Sequence, residues 1–398
     1  MLGSVSKLFD KNFVIGFYLP ALAAVVAIAW AFPDFALLSP VRSLTASEKT
    51  LGDLTYVALV AWVFAILLMA SNHAQYRLLE GYLPPVAWLR PLLCWHRFRF
   101  RRLKGELDML KTKWQEAVNQ GEDFPQQKQD RVTYLSAWLS VHYPSKEGDV
   151  MPTRFGNTIR SFEVYPRDVY GVDGVSVWLR LASVIPKDYA SLVEDARAEV
   201  DFFVNTSNLA ILFVILSLAG AVHDARWQYR PILGPVGLCY LHVAAIGVVI
   251  AAVAYYSAAA RAMAWGDLVR SAFDCYLLSL IKQLGFAVPS NEKERHEFWT
   301  QFSRLIVYKQ PMTPDRWPLA SESALKQEKA LPERTQEKAE SPSLEEKNEL
   351  TEPQKNAELS KLPPSTPTQE RGGATVAIIS QNSESSAESP TDCPRSSQ

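Results

Sequence analysis

Four stretches of this chain, residues 13–32, 54–70, 202–222 and 237–260, contain no Asp, Glu, Lys or Arg. Each is close to the ~20 apolar residues that a helix needs to cross the hydrocarbon core of a bilayer. In lipid every backbone donor and acceptor has to be paired within the protein, so runs of this kind dictate helices. The expected fold is all-α: four transmembrane helices, a cytoplasmic helical layer and a disordered C-terminal tail. A mean hydropathy of -0.04 conceals this, because it averages the apolar runs with a very polar C-terminus.

The division that follows is a first transmembrane pair in 1–70, a polar insert in 71–201, a second pair in 202–260, helices packing on the insert in 261–310, and the tail in 311–398. Orientation is read from basic residues beside the spans, since cytoplasmic loops retain them. Arg77, Arg90, Arg97, Arg99, Arg101, Arg102, Lys104, Lys111 and Lys113 follow the second span, which puts the insert in the cytoplasm. The loop 33–53 carries only Arg42 and Lys49, and 223–236 only Arg226 and Arg230. With Lys7 and Lys11 before the first span, both termini come out inside, and the expected location is the inner membrane.

Within the spans, Ala23, Ala27 and Ala31 lie four apart, as do Gly247 and Ala251, which permits close helix approach. Pro20 is expected to bend the first helix. Asn205 and Asn208 make the inner end of the third span polar, and His242 stands in the fourth. Polar groups at such depth face protein or water, so interhelical hydrogen bonding and a transport vestibule are both readings of them.

In the insert, residues 86–100 mix aromatics with arginines and suit a helix lying in the headgroup region. Arg97, Arg99, Arg101, Arg102 and Lys104 are expected to contact anionic lipid headgroups. Leu103, Leu107, Leu110, Trp114 and Val118, then Val132, Leu135 and Leu139, recur at helical spacing and read as a hairpin. Its apolar stripes can pack in coiled-coil fashion on each other, on neighbouring helices, or on a second subunit or protein partner.

Thr153 is a candidate N-cap for a helix on which Asn157, Arg160 and Glu163 fall at i, i+3 and i+6. With Tyr165 and Asp173 they are the candidate ligand-binding residues, suited to a small anion, although the same residues can cross-link helices. Tyr165-Pro166 is expected to stop that helix, Asp173 to cap the next, and Ser290 to cap another beyond the fourth span. From residue 311 onward Pro, Ser, Glu, Lys and Gln dominate, a composition that favours disorder.

The motifs that carry enzyme chemistry are not in the sequence. There is no Walker loop, GxSxG or HExxH, and none of the four cysteines lies in a zinc-binding pattern. No catalytic residue, metal or cofactor is therefore assigned. With 41 Lys+Arg against 42 Asp+Glu, nothing in the overall charge calls for nucleic acid.

Two blocks, Asn72 with Arg77-Leu78-Leu79-Glu80-Gly81-Tyr82, and Gly156-Asn157 with Arg160, Glu163, Tyr165-Pro166, Tyr170-Gly171 and Asp173, resemble those of a family of uncharacterised bacterial multi-pass integral membrane proteins. That family carries similar blocks between its second and third spans. The likeness runs from about the first span to the fourth and excludes the tail. Trp178 and Arg180 match a Trp-Pro-Arg-Leu element in which Leu179 here replaces the proline. The resemblance implies a topology and a bacterial membrane location, and no reaction.

Overall fold

The computed structural model describes residues 10–32, 51–88, 90–227, 235–312 and 317, and the described residues are helical with no strand. The expected tail and the loop at 33–50 lie, but for residues 311, 312 and 317, outside them. The helices are α1 (Lys11–Ala31), α2 (Leu51–Glu80), α3 (Arg90–Gln120), α4 (Gln126–His142), α5 (Arg154–Tyr170), α6 (Gly174–Leu181), α7 (Lys187–Trp227), α8 (Pro235–Gln283) and α9 (Glu292–Tyr308). α1, α2, α7 and α8 are each long and apolar enough to cross a membrane.

α7 has 41 residues and α8 has 49, so at ~1.5 Å per residue they reach roughly 60 and 75 Å, about twice the ~30 Å hydrocarbon core. Both run without a break from the apolar bundle into the polar layer. The segment boundaries at 70/71, 201/202 and 260/261 fall inside continuous helices, and the layer is built on the overhanging halves of the spans.

α1 packs on α2 through Ala21, Val25 and Ala29 against Val57, Ala61 and Ala65. The expected stripe of Ala23, Ala27 and Ala31 is turned away from this seam, because the larger Phe13 and Phe17 set the buried face and Ala21 follows them at helical spacing. The Gly247 face does pack: a Cβ there would come 2.7 Å from Val214 Cγ2 on α7, and Ser207 donates to the Ala251 carbonyl at 3.2 Å. Before Pro20 the chain adopts a π-helical turn at Val14–Tyr18. A π-turn widens the ladder at the point where proline removes a donor.

In the polar layer α5 is the hub. Phe155, Ile159 and Phe162 are buried with Val177 and Leu181 of α6, Val200 and Val204 of α7, Ala258, Ala262 and Phe273 of α8, and Phe298 and Phe302 of α9. α3 and α4 form the expected hairpin around their own smaller core of Phe100, Leu107, Val132, Leu135 and Leu139.

Three further sequence expectations need correcting. The expected headgroup helix, from Arg90 onward, and the first hairpin helix are one 31-residue helix, because Gly105 costs only ~1 kcal/mol in a helix interior, while Val86–Trp88 form a separate 3-10 turn. α5 continues past Pro166 for another turn and ends at Gly171, which has the left-handed φ of 78°. The lost hydrogen bond is offset by Arg167 donating to Asp149 at 2.6 Å and Tyr170 donating to Asp274 at 2.7 Å. The N-cap of α9 is Asn291, whose side chain accepts from Glu294 N at 2.8 Å, while Ser290 donates to the Glu294 carboxylate.

Candidate functional site

The end of α2 and the start of α5 are joined at a glycine. A Cβ on Gly156 would lie 2.4 Å from the Glu80 carbonyl oxygen. Thr153 donates to that same oxygen at 3.0 Å and accepts from Gly156 N at 2.9 Å, so the N-cap of α5 is also its tie to α2. Gly81, with φ 96°, ends α2 against Pro152. The two sequence blocks thus form one structural joint.

Asn157, Arg160 and Glu163 part company here. Asn157 is fully buried; its Oδ1 accepts from Met151 N at 2.8 Å, and its Nδ2 donates to the Met151 and Thr153 carbonyls at 2.9 and 2.8 Å. It clamps the turn that leads into α5. Arg160 donates to Glu163 at 3.3 Å and to Asp149 at 3.1 Å. Although burial pushes the Asp149 carboxyl up, hydrogen bonds from Arg167 and Arg160 outweigh it and hold Asp149 below the usual carboxylate range. Tyr165 and Tyr170 both donate to Asp274 Oδ1 on α8, and Asp173 accepts from Ser176 N as the cap of α6. Of the five expected ligand residues, only Arg160 and Glu163 line a cleft.

That cleft, of about 800 Å3, opens at the junction of the apolar bundle and the polar layer. α2 supplies Asn72, Tyr76, Arg77 and Glu80, with Tyr82 just beyond; α7 supplies Arg197 and Asp201; Phe17 and Trp265 add apolar surface. Asp201 accepts from Tyr76 Oη at 2.8 Å and Asn72 Nδ2 at 3.1 Å, with Arg197 4.0 Å away. Arg77 stacks over Tyr82, 4.8 Å from the ring centre, and makes no ion pair among the described residues.

Glu80 lies ten residues past the span 54–70, roughly 15 Å along the helix, and so outside the membrane-spanning segment. Burial, and then the neighbouring Glu163 charge, push its carboxyl from 4.5 to about 7 against the opposing Arg77 and Arg160. Burial likewise holds Glu163 above the usual range against Arg160. The cleft therefore offers one carboxyl, Glu80, that exchanges a proton near neutrality, beside the guanidinium groups of Arg77 and Arg197. It suits a small ligand bearing both charges.

Arg77 and Glu80 lie three apart and so share a helix face, but nothing local in the sequence brings them to Arg160 and Glu163. The signal available was that both blocks are dense in polar residues. Among the described residues no group of His, Cys, Asp and Glu could hold a metal.

The collar residues divide. Arg101 pairs with Glu147 at 3.1 Å, Lys104 donates to the Ser145 carbonyl at 2.9 Å, and Arg99 stacks on Trp95 and Trp138. Arg97 has a buried Nε, and Arg102 is exposed. In the bundle, Asn205 donates to the Gly16 carbonyl at 2.8 Å and Asn208 to Gln75 Oε1 at 3.1 Å. His242 sits on an exposed face of α8.

No protein-family model matches this chain, and comparison with curated proteins and with solved structures finds no significant match.

Proposed function

We propose that the chain is a multi-pass protein of the bacterial inner membrane, both termini cytoplasmic, that acts as an anchored binding protein. Its cytoplasmic layer takes a small zwitterionic ligand in the charged cleft. The observation that carries this reading is the gathering of Glu80, Glu163, Arg77 and Arg197 around one open volume of about 800 Å3 at the joint of the two sequence blocks. The resemblance of those blocks to a bacterial membrane family supports the location, and the basic residues after the second span support the orientation.

The test is thermal unfolding of the purified full chain in detergent with each of the free amino acids as probes. A ligand present at 100 Kd stabilises by about 2.7 kcal/mol. Stabilisation by one probe, lost in Arg77→Gln, is the expected result. No stabilisation by any charged small molecule would remove the reading.

A second reading, an assembly protein that recruits a partner or a further copy, is favoured by the α3–α4 hairpin. It carries its own core and leaves Phe98, Met109, Val118 and Tyr134 exposed. Crosslinking in cells decides it, since a chain that stays monomeric and captures nothing through this hairpin is not an assembly module. Transport, motivated by Pro20, His242 and the polar inner end of the third span, has less support, because Asn205 and Asn208 at that end are engaged in hydrogen bonds between helices.

A further inference from the structure

A second cavity, of about 440 Å3, opens where α3, α4, the start of α5 and α8 meet, and shares no lining residue with the charged cleft. Its wall is aromatic, with Trp95, Trp138, Tyr143, Tyr255 and Tyr256, and no Asp or Glu lines it. The charge there comes from Arg99 and Arg154. Arg99 lies 5.4 and 5.2 Å from the Trp95 and Trp138 rings, and Arg154 lies 5.9 Å from the Tyr256 ring. Neither makes an ion pair among the described residues, unlike Arg101 close by.

Two arginines held by aromatic faces, with no acid in the cavity, leave a net positive site whose guanidinium forks match phosphate oxygens. Its mouth is apolar on the bundle side. Val249, Val253 and Tyr256 of α8 are exposed at spacings of four and three, so one apolar track runs down the helix to the cavity. Trp95 and Leu92 are exposed at its rim. Tyr and Trp at the end of an apolar span belong to the interface with headgroups.

We propose that this cavity binds the phosphate of an anionic phospholipid, with Arg99 and Arg154 on the phosphate oxygens and an acyl chain along Val249 and Val253. The inference rests on the membrane placement proposed above and is independent of the ligand cleft. It gives the basic collar one built site in place of a diffuse contact. A free phosphate compound would satisfy the same arginines, but the apolar track favours a lipid.

The experiment is native mass spectrometry of the full chain in detergent, titrated with phosphatidylglycerol or phosphatidylcholine. Each basic contact to an anionic surface contributes a factor of about five in affinity, so Arg99→Gln with Arg154→Gln is expected to weaken phosphatidylglycerol binding roughly 25-fold, to the phosphatidylcholine level. Arg101→Gln and Glu80→Gln are expected to leave it unchanged. Undiminished preference for phosphatidylglycerol in the double variant overturns the proposal. So does displacement of the lipid by equimolar glycerol 3-phosphate, which would mark a site for soluble phosphates. If the double Gln variant does not fold, Arg99→Lys with Arg154→Lys keeps the charge and loses the forks; a fall of several-fold is expected, and no fall overturns the site. Release of the chain from membranes by alkaline carbonate would instead remove the membrane placement itself.

Discussion

Asn205 donates from Nδ2 to the carbonyl oxygen of Gly16 at 2.8 Å. Four residues after Gly16 stands Pro20, which has no N–H to give that carbonyl in the α-helical register, and a side chain of α7 supplies a donor to it. The two helices also come close there, since a Cβ on Gly16 would lie 3.1 Å from Asp201 Cβ. Asn205→Leu should cost about 1 kcal/mol, at the lower end for a buried hydrogen bond because the Asn205 Oδ1 it also removes has no partner. Pro20→Ala restores the N–H and should recover most of that loss in the double variant. Thermal melts of the four proteins in detergent measure the coupling, and simple additivity would show that the two residues do not share this carbonyl.

A contrast between two glycines tests the joint of α2 and α5. Gly156→Ala drives a methyl to 2.4 Å from the Glu80 backbone oxygen, which can yield only if the helices separate, and should cost about 3 kcal/mol or prevent folding. Gly105→Ala, in the middle of α3 with nothing within 4 Å, should stabilise by ~0.5–1 kcal/mol. Denaturation of both variants gives the comparison. Equal effects would mean that α2 and α5 do not meet at Gly156.

Much of this architecture is legible in the sequence because it depends on local composition. Charge-free runs mark the spans, and Thr153 and Asp173 announce helix starts through short side chains that reach back to nearby amides. The cleft was harder to read. Asn72 and Tyr76 reach Asp201 across 129 and 125 residues, and only the packing of α2 against α7 brings them together. Pro166 misleads for a related reason: the local rule ends the helix, while tertiary bonds from Arg167 and Tyr170 carry it on. Asn157 reads as a ligand residue from its helix face, and its burial in the turn before α5 depends on where that turn folds back.

Arg160 and Arg77 should separate wall from ligand contact. Arg160→Ala leaves Glu163 half-buried without its partner and Asp149 with Arg167 alone, and should lower stability by about 2 kcal/mol. Arg77 is exposed and stacks only on Tyr82, so Arg77→Gln should stay within about 0.5 kcal/mol of the parent protein. Urea titration of both variants checks this. A stable Arg160→Ala protein would move that residue from the wall to the ligand.

Glu80 makes stability depend on pH in a definite direction. Its carboxyl is raised in the folded protein to about 7 from 4.5, by burial first and by Glu163 second. The folded state therefore binds the proton more tightly than the unfolded chain, and the contribution is fully present below pH 4.5 and lost as pH rises through 7. Between pH 5 and 8 the parent protein should lose about 2 kcal/mol from this group. Glu80→Gln keeps the shape and is neutral throughout, so the gap between its melting temperature and the parent's should open as pH rises from 5 to 8, with the variant the higher at pH 8. Ordinary titration of Glu80 near 4.5 would give the opposite pattern, with parent and variant following the same course from pH 5 to 8. That result would leave Glu80 ionised throughout this range, beside Arg77 and Arg160.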